Sequence, residues 1–170
     1  NEVAVALALG LPVNGTAPAL RSEAFKSAGR RLFHRSGVPV PLGREDVHSV
    51  DDVAAAAEWI RASRPSVGAV VIKHDDSGAG DGNLVLDLRD DSGAPRDPHE
   101  VLASVAALPA WFLDDLAAGG GVVEEMVVGE RFDAVAIVTR HTEHAAWAER
   151  MAALGTHIFI PKTFATTLAD

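Results

Sequence analysis

The chain has no cysteine and no tyrosine, and only 5% of its 170 residues are aromatic. Without cysteine, disulfides, thiol catalysis and thiolate–zinc sites are excluded. Positive charge is also scarce: 15 Lys and Arg stand against 24 Asp and Glu, a formal net charge of −9. A general nucleic-acid binder draws its affinity from a basic surface, so no nucleic-acid partner is expected. No apolar run approaches the ~20 residues of a membrane span, so no membrane partner is expected either. No leader segment is visible, although the first residue is Asn1 and not Met, and the expected location is cytoplasmic. What the chain does have is an ordinary apolar share, 48%, and enough length for one domain or two small lobes with a real core.

The most informative segment is Ala69-Val70-Val71-Ile72-Lys73-His74-Asp75-Asp76-Ser77-Gly78-Ala79-Gly80-Asp81-Gly82-Asn83. An apolar run ends in a lysine, a loop with glycine at every second position follows, and Leu84-Val85-Leu86 closes it. Glycines reach positive φ and let backbone N–H groups approach an anion. A lysine at the strand end adds a compact positive charge. The pattern suits a phosphate-gripping hairpin, and a few local cations can reverse the field of an acidic protein inside a cleft. It fits neither GxGxxG nor GxxxxGK[ST], so neither a Rossmann domain nor a Walker loop is indicated. A second constellation is Val122-Val123-Glu124-Glu125-Met126-Val127-Val128-Gly129-Glu130. On a strand Glu124 and Glu125 face opposite sides and cannot form a carboxylate dyad. One can face a cleft, where a carboxylate accepts hydrogen bonds from ribose; alone, the segment reads as a charge-protected edge strand.

The pattern along the chain predicts helices over residues 2–10, 22–36, 49–61, 98–108, 110–118 and 143–154. It predicts strands over 67–73, 84–88, 122–127, 132–138 and 157–161, with a short strand entered at 37–41. The connection between 73 and 84 is too short for a parallel crossover, so those two strands should pair antiparallel. Short hairpins mixed with helices suit two small α+β lobes better than a doubly wound parallel sheet. Arg30, Arg31 and Arg35 read as a solvated basic face, and Trp59, Trp111 and Trp147 as partly buried packing residues. His141 and His144 are three apart and could share a helix face toward a metal, with solvated histidines as the favoured reading.

Taken in order, the Lys73 strand, the glycine loop, a helix and the Glu124-Glu125-x-x-x-Gly129-Glu130 strand resemble the ATP-grasp superfamily. Lys26 ahead of Phe33 and Gly37-Val38-Pro39-Val40-Pro41-Leu42-Gly43 resembles the opening of the same fold, and the match covers roughly residues 11 to 132. Arg30-Arg31-Leu32-Phe33 and the Gly82-Asn83 ending look most like the pheganomycin-type peptide ligases. The resemblance implies an α+β, ATP-grasp-like fold: two small lobes with antiparallel sheets around a nucleotide cleft. Residues 1–20 would then be the tail of a preceding lobe, 21–118 the first lobe with its glycine-rich loop, and 119–170 part of a second lobe. It further implies ATP and Mg2+ as cofactors. Lys26 and Lys73 would contact phosphates, the loop bearing Ser77, Gly78, Gly80, Gly82 and Asn83 would fold over them, and Glu124, Glu125, Val127 and Glu130 would line the adenine and ribose. The implied activity is ATP-dependent carboxylate–amine ligation through an acylphosphate. Its substrates would be small-molecule or peptide carboxylates and amines.

After Phe132 the pattern departs from the superfamily. No Glu-x-Asn follows to hold magnesium, and no asparagine occurs after Asn83. The expectation is therefore a fragment of a longer enzyme, with a non-catalytic nucleotide-binding module as the alternative. Exposed apolar surface on an incomplete fold would also favour assembly with itself or a partner.

Overall fold

The computed structural model describes residues 2–12, 17–78, 81–127, 134–136, 144–155 and 157–159. An apolar helix, α1 (Glu2–Leu9), ends at Gly10, whose φ of 64° suits a C-terminal turn. The helix expected over 22–36 divides in two: a 3-10 segment covers Pro18–Ala24, Phe25 is extended, and α2 (Lys26–Arg35) follows. No side chain of its own caps α2. Asp75 does so from far along the chain, accepting from the Ser27 backbone N–H at 2.8 Å and from Ser27 Oγ at 2.9 Å. Sequence periodicity cannot show a cap supplied across the fold.

The strand anticipated at 37–41 instead begins later, as β1 (Gly43–Val47). Pro39 and Pro41 carry no N–H for a ladder, which explains the delay. Ser49 caps α3 (Val50–Ser63), its side chain accepting from the Asp52 backbone. Strands β2 (Ala69–His74) and β3 (Asn83–Asp87) form the expected antiparallel hairpin, with Lys73 opposite Asn83. Asp97 caps α4 (Pro98–Ala106), and α5 (Ala110–Gly119) follows before β4 (Gly121–Glu125).

These strands make one antiparallel sheet in the order β1-β4-β2-β3. Residues 121–125, expected to open a second lobe, thus lie in the middle of the sheet that carries the Lys73 strand. One face is the core: Val70, Ile72, Leu86 and Val123 pack with Val53, Ile60, Val101, Phe112 and Leu116 of the helices. The opposite face carries Lys73 and Glu124 and meets α2. Farther on, β5 (Ala134–Ala136) and β6 (His157–Phe159) pair parallel, with α6 (His144–Ala153) between them. This small sheet departs from the antiparallel expectation, because a helical crossover returns the chain in the same direction.

Two departures bear on what α2 does. Its buried residues are Ser27 and Arg30, while Leu32 and Phe33 are 46% and 48% exposed. At these positions the usual amphipathic order is therefore inverted, while Arg31 and Arg35 are exposed. Trp111 and Trp147 are also more exposed than expected, at 56% and 40%.

The triple-glycine break before β4 has a steric cause. A methyl group on Gly121 would stand 2.4 Å from the Lys73 carbonyl oxygen and 2.7 Å from Leu116 Cδ1. Gly120 adopts φ 76°, and its carbonyl accepts the Asp75 N–H at 3.0 Å. Gly121→Ala should cost about 2–3 kcal/mol in urea denaturation, as overpacking against backbone does. Gly78→Ala meets nothing within 4 Å and should stay within about 0.5 kcal/mol of the parent.

Candidate functional site

Between α2 and the outer face of the sheet lies an open cavity of about 460 Å³. Phe25, Gly29, Leu32 and Phe33 line its helical side; Lys73, Val122 and Glu124 line the sheet. Lys26 and Arg30 complete the wall. The site combines an apolar surface with convergent charge, the usual composition of a small-molecule cleft. The inverted amphipathicity of α2 produces this: polar groups tie it to the sheet and apolar groups face the opening.

Glu124 sits at the centre. Val71 is directly opposite it on β2, which makes Lys73 its diagonal neighbour on the same face. Its side chain is only 9% exposed. One carboxylate oxygen accepts from Arg30 Nη1 and the other from Lys73 Nζ. Burial alone would raise its pKa, but Lys73 and then Arg30 outweigh that and hold it below the usual carboxylate range. Arg30 extends the network with Nε to Glu45 at 2.7 Å and Nη2 to the Pro41 carbonyl at 3.0 Å.

Lys26 stands at the other end of the cavity. Its ammonium donates to the His74 carbonyl at 2.6 Å, and to the Ser77 carbonyl and Ser77 Oγ, each at 2.8 Å. An ammonium has three hydrogens, so in this arrangement Lys26 holds the start of the glycine loop. Burial pushes its pKa below the usual lysine value; Asp75 opposes that, and Lys73 adds to it. Two lysines that repel one another beside a cavity provide a local field suited to an anion.

The structure brings together Lys26, Lys73, Ser77 and Glu124 of the residues singled out from sequence. Gly78 and Asn83 are exposed at the loop ends. Gly82 adopts φ 72° against His74, where a methyl group would stand 2.8 Å from Nδ1. Glu125 does not join the cluster. It points to the opposite face, where its oxygens take Arg64 at 2.5 Å and Oε1 also accepts the Leu42 N–H at 2.8 Å. Val127 is 56% exposed, two residues past the end of β4. Gly80, Glu130 and His141 lie outside the described residues. Among the described residues, no three His, Asp or Glu side chains converge on a metal position.

Sequence reasoning missed three groups. Arg30 is 5% exposed, not part of a solvated basic face. Asp75 is the tertiary cap of α2. His74 is buried, stacked on Phe112 at 4.0 Å, with Nε2 2.9 Å from the Phe112 carbonyl oxygen. The available signal was the spacing of Lys26 and Arg30, one helical turn apart on one face.

No protein-family model matches the chain. A curated relative, "IQ motif-containing protein H" of Danio rerio, is 28% identical over 89 residues, covering 52% of this chain and 8% of that protein. A solved structure with a similar backbone is the biotin carboxylase domain dimer of Hydrogenobacter thermophilus 2-oxoglutarate carboxylase, in complex with MgADP, ADP and bicarbonate. It is 16% identical with a TM-score of 0.46, over 75% of this chain and 25% of that one. This chain therefore spans a small part of each.

Because the folded pKa of Glu124 is depressed, its contribution to stability is present at neutral pH. It is lost as pH falls from the unfolded value, about 4.3, through the lower folded one. Glu124→Gln should cost about 2 kcal/mol at pH 7, the partly exposed Lys73 keeping this below the loss for a fully buried pair. Denaturation across pH should show the gap to the parent closing below about pH 4.

Proposed function

We propose that this chain is the nucleotide-binding part of an ATP-grasp enzyme, with ATP in the cavity between α2 and the sheet. The observation that carries the reading is the convergence of Lys73 and Lys26 at one cavity with an apolar wall, with Lys26 also bound to Ser77 at the start of the glycine loop. The triphosphate would meet Lys73 and the loop amides, and Lys26 once it exchanges loop carbonyls for phosphate oxygens. The base would lie against the apolar wall, near the end of β4, with Glu130 toward the ribose. The order of motifs in the sequence supports the same assignment.

The proposed reaction is carboxylate–amine ligation, with peptide-bond formation of the pheganomycin type as its finer form. A substrate carboxylate oxygen attacks the γ-phosphorus, and the bond to the bridging oxygen breaks with release of ADP. The resulting acylphosphate is attacked at its carbonyl carbon by an amine, which loses a proton as phosphate leaves. The residues of this chain would position the triphosphate and offset charge, which is most of what phosphoryl transfer asks of a protein. Both Glu124 oxygens are committed to Arg30 and Lys73, so the described residues do not fit a protein-held magnesium site. Mg2+ enters the proposal only as the nucleotide's counter-ion. That commitment also favours a second reading, a module that binds nucleotide without catalysis. Either role belongs in the cytoplasm, where ATP is abundant. Among the described residues no single helix is long and apolar enough to cross a membrane.

Calorimetric titration with a non-hydrolysable ATP analogue, with and without Mg2+, tests the reading. Saturable binding is expected, and Lys73→Ala should weaken it at least about tenfold while the thermal midpoint stays within a few degrees. Unchanged affinity in that variant overturns the assignment. An amine-dependent release of phosphate in the presence of a carboxylate would separate the ligase from the binding module.

A further inference from the structure

Arg30 is the most buried cation of the cluster, and the chain makes room for it. Gly43 lies beside its guanidinium: a methyl group there would stand 2.5 Å from the Val123 carbonyl oxygen, 3.0 Å from Nη2 and 3.2 Å from Cζ. Its three nitrogens go to three separate acceptors: Glu45 at 2.7 Å, the Pro41 carbonyl at 3.0 Å, and Glu124. Three of its five N–H donors, one on each nitrogen, are thus engaged with protein. Lys73 differs. Its side chain is 30% exposed at the cavity, and among the described residues its ion-pair partner is Glu124.

We propose that Arg30 is a positioning residue that takes one oxygen of Glu124 and so keeps Lys73 available to an anion in the cavity. This deepens the nucleotide reading and rests on it for the identity of the anion. The argument is one of charge sharing. A single carboxylate opposite a single lysine in a sheltered site would hold that lysine tightly, and an incoming phosphate would have to displace it. A second, immobile cation on the same carboxylate divides the attraction. Arg30 can hold that place because its planar fork reaches three acceptors at once and it cannot lose its proton. Strand alternation puts Lys73 on this face, and Glu124 holds its ammonium there. Lys73 thus shares its carboxylate with Arg30 and keeps more of its charge for a ligand.

Two measurements test this on the whole chain. The first needs no nucleotide: trace acylation of lysine amines, read at Lys73 by peptide mass spectrometry and normalised to the denatured chain. Arg30→Met should lower Lys73 reactivity at least about threefold, because the amine becomes the sole partner of Glu124 and is held protonated. Arg30→Met with Glu124→Gln should restore it. Arg30→Gln keeps polar donors in the slot and carries the same comparison where the methionine variant does not fold. Equal reactivity in the parent and the folded single variant overturns the proposal.

The second compares affinity for the ATP analogue with affinity for adenosine. Arg30→Met should weaken the triphosphate about tenfold, the scale of one charge-assisted contact, and adenosine by much less. A purely structural Arg30 would change both alike, and that outcome also overturns the proposal. A parent that binds neither ligand defeats the nucleotide reading, while the acylation comparison still decides the role of Arg30.

Discussion

A buried carboxylate must be accompanied by cations, and Glu124 imposes that constraint on this fold. It occupies a central strand, so its charge cannot escape to a sheet edge. Lys73 reaches it from the neighbouring strand and Arg30 from α2. To satisfy Arg30, β1 must bring Glu45 close and Pro41 must turn its carbonyl inward; Gly43 fits between Arg30 and the Val123 carbonyl oxygen, which leaves no room for a methyl group. The helix is thereby held to the sheet by charge and not by an apolar stripe. Apolar packing on the other face of the same sheet supplies the hydrophobic core, which frees this face to be polar.

The second tie runs through the start of the glycine loop. Asp75 caps α2, Lys26 returns to the loop carbonyls, and Ser77 both accepts from Lys26 and donates to the His74 carbonyl at 3.0 Å. Ser27 links this knot to β1, because its Oγ accepts the Asp46 N–H at 3.2 Å, where Asp46 adopts φ 57° at a register shift. Helix, loop and edge strand are thus joined through short polar contacts around one cavity. Such contacts exchange partners more readily than packed side chains do. A phosphate could therefore replace loop carbonyls on Lys26 without disturbing the core behind the sheet.

The same side chains explain where sequence reading succeeded. The hairpin was visible because its strand alternation and loop glycines are local, and the opposite orientation of Glu124 and Glu125 follows from the two-residue period of any strand. The helix start at Ser49 was visible for the same reason. Arg30 was not. A helix bearing arginines at successive positions normally turns them to water, and nothing within α2 reveals that a carboxylate three strand positions past Gly121 will be waiting for one of them. Asp75 as a cap was hidden likewise, since its helix lies about fifty residues away in sequence.

What the sequence determined by itself is the order of elements, the antiparallel hairpin and the chemical types gathered near its loop, because propensity, turn chemistry and alternation act over a few residues. Only the tertiary structure decided that β4 inserts between β1 and β2. That insertion puts Glu124 beside Lys73 and buries Arg30 against it. Strand order and the pairing of charges depend on how distant segments share one core and one dielectric boundary, and those energies exist only once the chain has closed on itself.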